Sequence, residues 1–493
     1  MTGKADQSKS AAVGGLDQTL EENVFKRSRL VTLVFIGGLA ISLMVAACGG
    51  ATPASVATEA VQATEPEAEQ ATEPPQETDA RRAYAGTEIR VIVDDVAPTT
   101  TMKQIIDDFT EETGIVVNLE VYDETTAREK IVLDLTSHTA AYDVVNLQWW
   151  FVPEYANGGF LVPIEELEAM GTDPVWYNPS DFAGSIVEGF RYEETLYGLP
   201  FWIIGGMYYY RTDILAENGW DTPATIQDVL AIAESTKQTY GEDMYGWIGR
   251  GNRDFDAFGS FAGFAAGYGV KLLDDGGNPT LLTEPAWEQA MTDWIALMRG
   301  YGPPGAGNLT WYDSYQLFEQ GKIVQFFETS DYGPAFENPD ESVVVGNAGY
   351  LPAPVGPAGE HAQWFYAEGL GVNRNSTPEK QAAAWLFLQW RTSAETFAKE
   401  LRVDDSPRFD VPSTSVLNSE DYQIAAEEAG MVAYAEGLRD TLLVADPWYW
   451  PFVPEFAQVA EAFASEVSGA LSGDATAAQV LERAQVKIED ILK

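Results

Sequence analysis

At 493 residues, 45% of them hydrophobic, the chain is long enough for two or three domains with packed cores. A net charge of −47 argues against a nucleic-acid partner, which needs a basic face, and leaves most carboxylates as solvated surface. A single cysteine excludes an intramolecular disulfide and a cysteine-built zinc site, whereas 14 Trp and 22 Tyr supply abundant aromatic surface.

The amino-terminal stretch FKRSRLVTLVFIGGLAISLMVAACGG has the order of a secretory signal. A basic flank (Lys26, Arg27, Arg29) precedes an apolar run, and small residues precede Cys48. The segment Val45-Ala46-Ala47-Cys48 resembles a bacterial lipobox, in which the cysteine is lipidated and becomes the new amino terminus. An uncleaved signal anchor is the alternative, because the apolar run is nearly long enough to span a bilayer. Residues 1–47 are thus expected to be a lipoprotein signal with a long leader. Residues 48–85, built from Ala, Thr, Glu and Pro, bury too little apolar surface to fold and read as a disordered tether.

From Gly86 the pattern alternates. Strands are predicted over 88–93, 115–121 and 142–147, and helices over 102–113, where Gly114 stops the run, and 126–137. Strand–helix–strand repetition implies right-handed crossovers and a parallel sheet covered on both faces. Ligands of such sheets bind outside the carboxyl ends of the strands, here the loops 94–101, 123–125 and 148–155. After the apolar stretch LPFWIIGGMYYYR, helices dominate, with 225–237, 284–299, 311–320, 378–391 and 475–492 the clearest.

Six stretches then occur in the order of one family. They are FTEETGIVVNLEV, FVPEYANGGFLVPIEEL behind DVV, YGLPFWIIGGMYYYRTDIL, LFEQGKIVQFFE, YAEGLGVNRNSTPEKQAAAWLFLQWRTSAE and SPRFDVPSTSVLNSED. Together they resemble the extracellular solute-binding proteins of bacterial ABC importers, in the sugar-binding family that includes maltodextrin and polyol binders. TPATIQD stands where many relatives carry a Pro-Pro-Lys-Thr-Trp run, and Glu368 where they often carry Trp. The resemblance implies an α/β, two-lobed, periplasmic-binding-protein-like fold, with two discontinuous lobes joined by three crossings. Residues 86–205 with 371–408 would form one lobe, and 206–370 with 409–493 the other. A ligand would be held in the cleft and the lobes would close on it by a hinge motion.

A neutral sugar or sugar alcohol stacks its C–H faces on aromatic rings, and its hydroxyls donate charge-assisted hydrogen bonds to carboxylates and accept them from Arg. Trp149 and Trp150 stand at a strand's carboxyl end. Adjacent residues of an extended segment point to opposite faces, so one is expected on the cleft and the other under the loop. Trp202 and Tyr208 at the first crossing, and Trp311 at a helix start, are further candidates. Trp385 and Trp390, on a long apolar helix, are expected in the core. The polar candidates are Asp94, Asp95, Glu328 and Asp331, each equally readable as solvated loop, with Glu368 and Arg408 favoured by their crossing positions. In relatives the segment before the penultimate long helix reaches the cleft, which implicates Trp448 or Trp450.

The resulting expectation is a lipid-anchored, monomeric binding protein on the extracytoplasmic face of the membrane, capturing a carbohydrate or polyol for an ABC permease. No cofactor, metal or catalysis is expected. A secreted glycoside hydrolase is the rival, since carboxylates beside aromatics also describe a glycosidase cleft. A lobe feeding a sensor is a third possibility. His138 and His361 are the only histidines, and no Ser/His/Asp or metal-spaced arrangement is visible.

Overall fold

A computed structural model describes residues 80–253, 256–403, 408–473 and 475–493. The expected signal, Cys48 and tether residues 48–79 lie outside the described residues. The folded body begins earlier than the composition shift suggests. Arg81 donates to Asp173 (2.6 Å) and to Glu112 (2.9 Å), and lies 3.9 Å over the ring of Trp176. Residues 80–85 therefore dock on the body instead of continuing the tether, because one arginine satisfies two carboxylates and covers a buried indole.

The alternation carries through. Strand β1 (Glu88–Asp94) runs parallel to β2 (Val116–Tyr122) and β3 (Val144–Gln148), and lies between them. Ile89, Val91, Ile92 and Val93 are wholly buried, as a strand covered on both faces requires. Helix Ala97–Thr113 opens on Pro98 and closes on Gly114 at φ 74, whose N–H donates to Thr110. Helix Glu124–Ser137 is capped by Asp123, whose side chain accepts from the Thr126 N–H.

The short strands β4 (Arg191–Tyr192) and β5 (Thr195–Leu196) form a hairpin. The chain then enters β6 (Leu199–Arg211), the element that organises the molecule. Its first half, to Gly205, pairs antiparallel with β9 (Phe365–Val372), which in turn pairs antiparallel with β3. Its second half, from Gly206, pairs with β7 (Gln325–Thr329) and β8 (Ala348–Pro352). The path β2-β1-β3-β9-β6-β7 thus carries one strand from the first sheet region into the second. Glycine is needed at the junction for close approach. A Cβ on Gly206 would sit 2.5 Å from the Phe327 ring and 2.6 Å from the Trp364 backbone nitrogen, and one on Gly205 2.7 Å from Thr441. Because β9 is hydrogen-bonded along its length to β3 and β6, residues 365–370 belong with the first sheet, on the other side of the division expected at 370/371.

Helix Pro378–Arg391 packs on β9 and β1 with Trp385 and Trp390 buried, as its apolar run predicts. Helix Val432–Val444 packs on β8 and β6. Helix Phe456–Ser472 lies between helices Asp256–Ala266 and Ala477–Ile491. In the last helix Val480, Leu481, Ala484 and Ile488 are buried on one stripe, while Ala478 is exposed.

Candidate functional site

A cavity of about 440 Å³ lies where the carboxyl ends of β1 and β3 face the residues following β7. From the first sheet region come Asp94, Glu124, Arg128, Trp150, Trp202, Tyr366 and Glu368. Across from them lie Arg250, Trp311, Asp331, Tyr332 and Trp364.

Strand register sets the first wall. Glu368 stands opposite Gln148 on β3 and Trp202 on β6, and Tyr366, two residues away, shares its face. The Tyr366 hydroxyl donates to Glu368 Oε1, and Asn146 donates to Oε2 (3.2 Å). Gln148 Nε2 donates to Asp94 (3.2 Å) and Glu124 (2.8 Å), holding the two carboxylates on one amide. Burial and the neighbouring Glu124 charge push Asp94 up to about 7. Burial and the Asp94 charge push Glu368 well above the usual carboxylate range. Burial and mutual charge thus favour the protonated form of these carboxyl groups, which can donate as well as accept. That is the pair of roles a hydroxyl requires.

The opposite wall is charge-compensated. Arg250, 5% exposed, donates from Nε and Nη2 to the two oxygens of Glu328 (2.5 and 2.7 Å). The Thr329 N–H also donates to Glu328 (2.8 Å). The guanidinium carbon lies 5.0 Å over the centre of the Trp364 ring. Trp311 opens a helix whose capping box, Thr310 with Asp313, fixes the first turn. Its 45% exposed indole reaches the cavity.

Of the residues expected at a site, Asp94, Trp150, Trp202, Trp311, Asp331 and Glu368 meet in this cavity. The others are placed elsewhere. Trp149 is buried against Phe365, Trp450 and Phe452. Trp450 stacks on Trp150 at 5.8 Å and packs on Phe258 and Phe456, so it supports the cavity's indole from behind. Trp448 lies beside Tyr449, outside the lining residues. Tyr208 is enclosed in the core, its hydroxyl donating to Gln325. Glu328 is consumed by Arg250. Asp95 points outward near Lys103. Arg408 is buried and donates to Asp410 (2.9 Å) and Glu400 (3.3 Å).

Tyr366, Trp364, Arg250, Glu124 and Arg128 are lining residues that sequence reasoning did not single out. The Tyr–x–Glu spacing before the second crossing is the signal that leads to Tyr366, and the 123–125 loop leads to Glu124. Arg128 also lines a wider cavity of about 1050 Å³ with Phe151, Tyr155, Asn252 and Arg253.

Comparison with known proteins bears on the family and the fold. A sequence model described as bacterial extracellular solute-binding protein matches residues 94–396. The mannitol-binding protein of Pseudomonas aeruginosa is 25% identical over 383 residues, which is 74% of this chain and 84% of that protein. The erythritol/L-threitol-binding protein of Mycolicibacterium smegmatis is 22% identical over 430 residues, 83% of this chain and 86% of the relative. A crystal structure of an ABC transporter solute-binding protein from Agrobacterium vitis S4, with bound D-mannitol, superposes with a TM-score of 0.66 at 25% identity. That match covers 83% of this chain and 98% of the other, which shares its two-lobed fold.

Proposed function

The chain belongs to the bacterial extracellular solute-binding protein family, and on that premise we propose that it captures a small neutral polyol in the cavity and hands it to an ABC permease without turning it over. The observation that carries this reading is the cavity's composition. Four carboxyl groups and two arginines offer hydrogen bonds to hydroxyls, and the indoles of Trp150, Trp202, Trp311 and Trp364 offer faces for C–H groups. A volume of 440 Å³ is at the small end of the roughly 300–1,000 Å³ usual for ligand sites. It suits a single sugar or alditol. The mannitol and erythritol binders among its relatives favour the open-chain alcohol.

The acid-rich first wall also sets an exclusion. Four lining carboxyl groups, Asp94, Glu124, Asp331 and Glu368, outnumber the two arginines, and Arg250 is already paired with Glu328, so a sugar acid or sugar phosphate would meet more acid than base. Neutral ligands are therefore preferred over their anionic counterparts.

Lipidation of Cys48 and tethering of the body to the extracytoplasmic face complete the proposal, supported by the basic, apolar and small-residue order around Cys48. Thermal shift followed by calorimetry against D-mannitol, ribitol, erythritol, glucose, maltose and gluconate tests the ligand class. The expected result is a stabilising shift with an alditol and none with gluconate. Silence with every neutral compound, or release of reducing ends from a glycan, overturns it.

A further inference from the structure

We infer that Asp410 is a positioning residue for capture: it holds the Trp202 indole by its N–H and so fixes the angle at which that ring faces the cavity. The inference rests on the cavity being the ligand site. Trp202 Nε1 donates to Asp410 Oδ2. Asp410 is itself clamped, with Arg408 donating from Nε (3.0 Å) and Nη2 (2.9 Å) to its other oxygen. Arg408 then reaches Glu400 at 3.3 Å, and Glu400 pairs with Arg391 at 2.8 Å.

Arg391 and Glu400 are wholly buried and Arg408 is 4% exposed, so this is an alternating chain of two arginines and two carboxylates inside the protein. Burying four charges is costly unless each is paired in good geometry. The Arg408–Asp410 link is hydrogen-bonded, the Arg391–Glu400 link is an ion pair by proximity alone, and the chain ends on a neutral indole that lines the cavity. An aspartate needing only neutralisation would be satisfied by Arg408. The remaining oxygen is directed to Trp202 instead.

The held indole has a task on its other side. Trp202 meets Tyr366 edge to face, at 5.5 Å and 79°, and Tyr366 donates to Glu368. The β6 register is also irregular between Pro200 and Trp202, where a strand alone fixes the side chain least. Asp410 supplies from the third crossing the constraint that the irregular strand does not. Loosening it frees the ring to turn away from Tyr366 and relaxes the Tyr366–Glu368 contact.

The test uses the whole folded protein with ¹⁵N-labelled indoles, Trp202 being assigned by its loss in Trp202→Phe. In ligand-free protein, Asp410→Asn is expected to move the Trp202 indole resonance upfield and speed its solvent exchange, leaving the remaining indoles in place. Arg408→Lys, which does not touch Trp202, is expected to move the same resonance to a smaller extent. An unmoved resonance in Asp410→Asn overturns the contact.

D-mannitol titrations then read the function. Asp410→Asn is expected to weaken binding about tenfold in the parent, the order of one lost charge-assisted hydrogen bond, and less than twofold beside Trp202→Phe. Equal losses in both backgrounds overturn positioning through the indole. Absence of D-mannitol binding by the parent sinks the hexitol reading alone, because the indole measurements still decide whether Asp410 holds the ring.

Discussion

The two walls of the cavity solve the burial of charge in opposite ways. Across from β1, Arg250 and Glu328 neutralise each other in a bidentate pair, which leaves that side of the cavity charge-compensated. On the β1–β3–β9 side, Asp94, Glu124 and Glu368 crowd together around amide and phenol donors. The paired wall is finished before any ligand arrives. The crowded wall stays electrostatically costly, and its pKa shifts record that cost. Affinity and selectivity are therefore expected to depend on the second wall, and stability on the first.

The largest expected effect comes from breaking the paired wall. Glu328→Gln removes the carboxylate charge from the bidentate pair with buried Arg250 and should lower stability by about 3–5 kcal/mol, measured by chemical denaturation. A loss below 1 kcal/mol would mean that the Arg250–Glu328 pair adds little to stability and that the walls are less distinct. Trp149→Ala, in the packing behind the cavity, should cost a similar ~3–5 kcal/mol. Trp150→Ala should chiefly weaken D-mannitol binding in calorimetry. If both variants only destabilise, a stacking role at Trp150 is wrong.

The crowded wall is sharpened by pH. A carboxyl whose folded pKa is raised keeps its proton where the unfolded chain has released it, so stability falls as pH rises between the two values. For Asp94 that window runs from its ordinary value of 3.8 to about 7. Ligand-free protein should therefore lose stability over this range, and Asp94→Asn should flatten the slope and raise the melting temperature at pH 8. For a folded body of this size a gain of about 1 kcal/mol corresponds to roughly 1 °C. Glu124, Glu368 and Arg128 face the same group, so a full abolition of the slope is not expected. An unchanged slope would remove Asp94 from the crowded wall.

The smallest effect serves as a control. Truncation before Gly86 removes Arg81, which touches neither wall, and should cost about 1 kcal/mol through its surface ion pairs and ring contact. D-mannitol affinity should remain at the parental value. A loss of affinity would connect the amino-terminal segment to the cavity.

Much of this was legible in the sequence because it is local and periodic. The alternation of apolar strands and capped helices gave β1 to β3 and their carboxyl ends, and hence the neighbourhood of Asp94 and Trp150. Arg250 was not legible. It lies in a short glycine-flanked stretch without periodicity, and its partner Glu328 is distant in the chain. The same separation disguised Glu328 and Arg408, which look like ligand residues until their buried partners are known. The two tryptophans teach a narrower lesson. They were expected to diverge through the pleat of a strand, yet they stand in a 3₁₀ turn, Trp149–Phe151. At three residues per turn, successive side chains diverge by about 120°, which still separates them.

Gly205 and Gly206 carry a mechanical consequence. The first crossing is a continuously hydrogen-bonded strand, pinched between Thr441, Phe327 and the Trp364 backbone. Such a junction behaves as a crease: it can twist about its own axis, but has little room to slide or splay. Relative movement of the two sheet regions would be steered into one direction by two missing side chains, so a single added methyl at Gly206 would jam the crease against Phe327 and the Trp364 backbone.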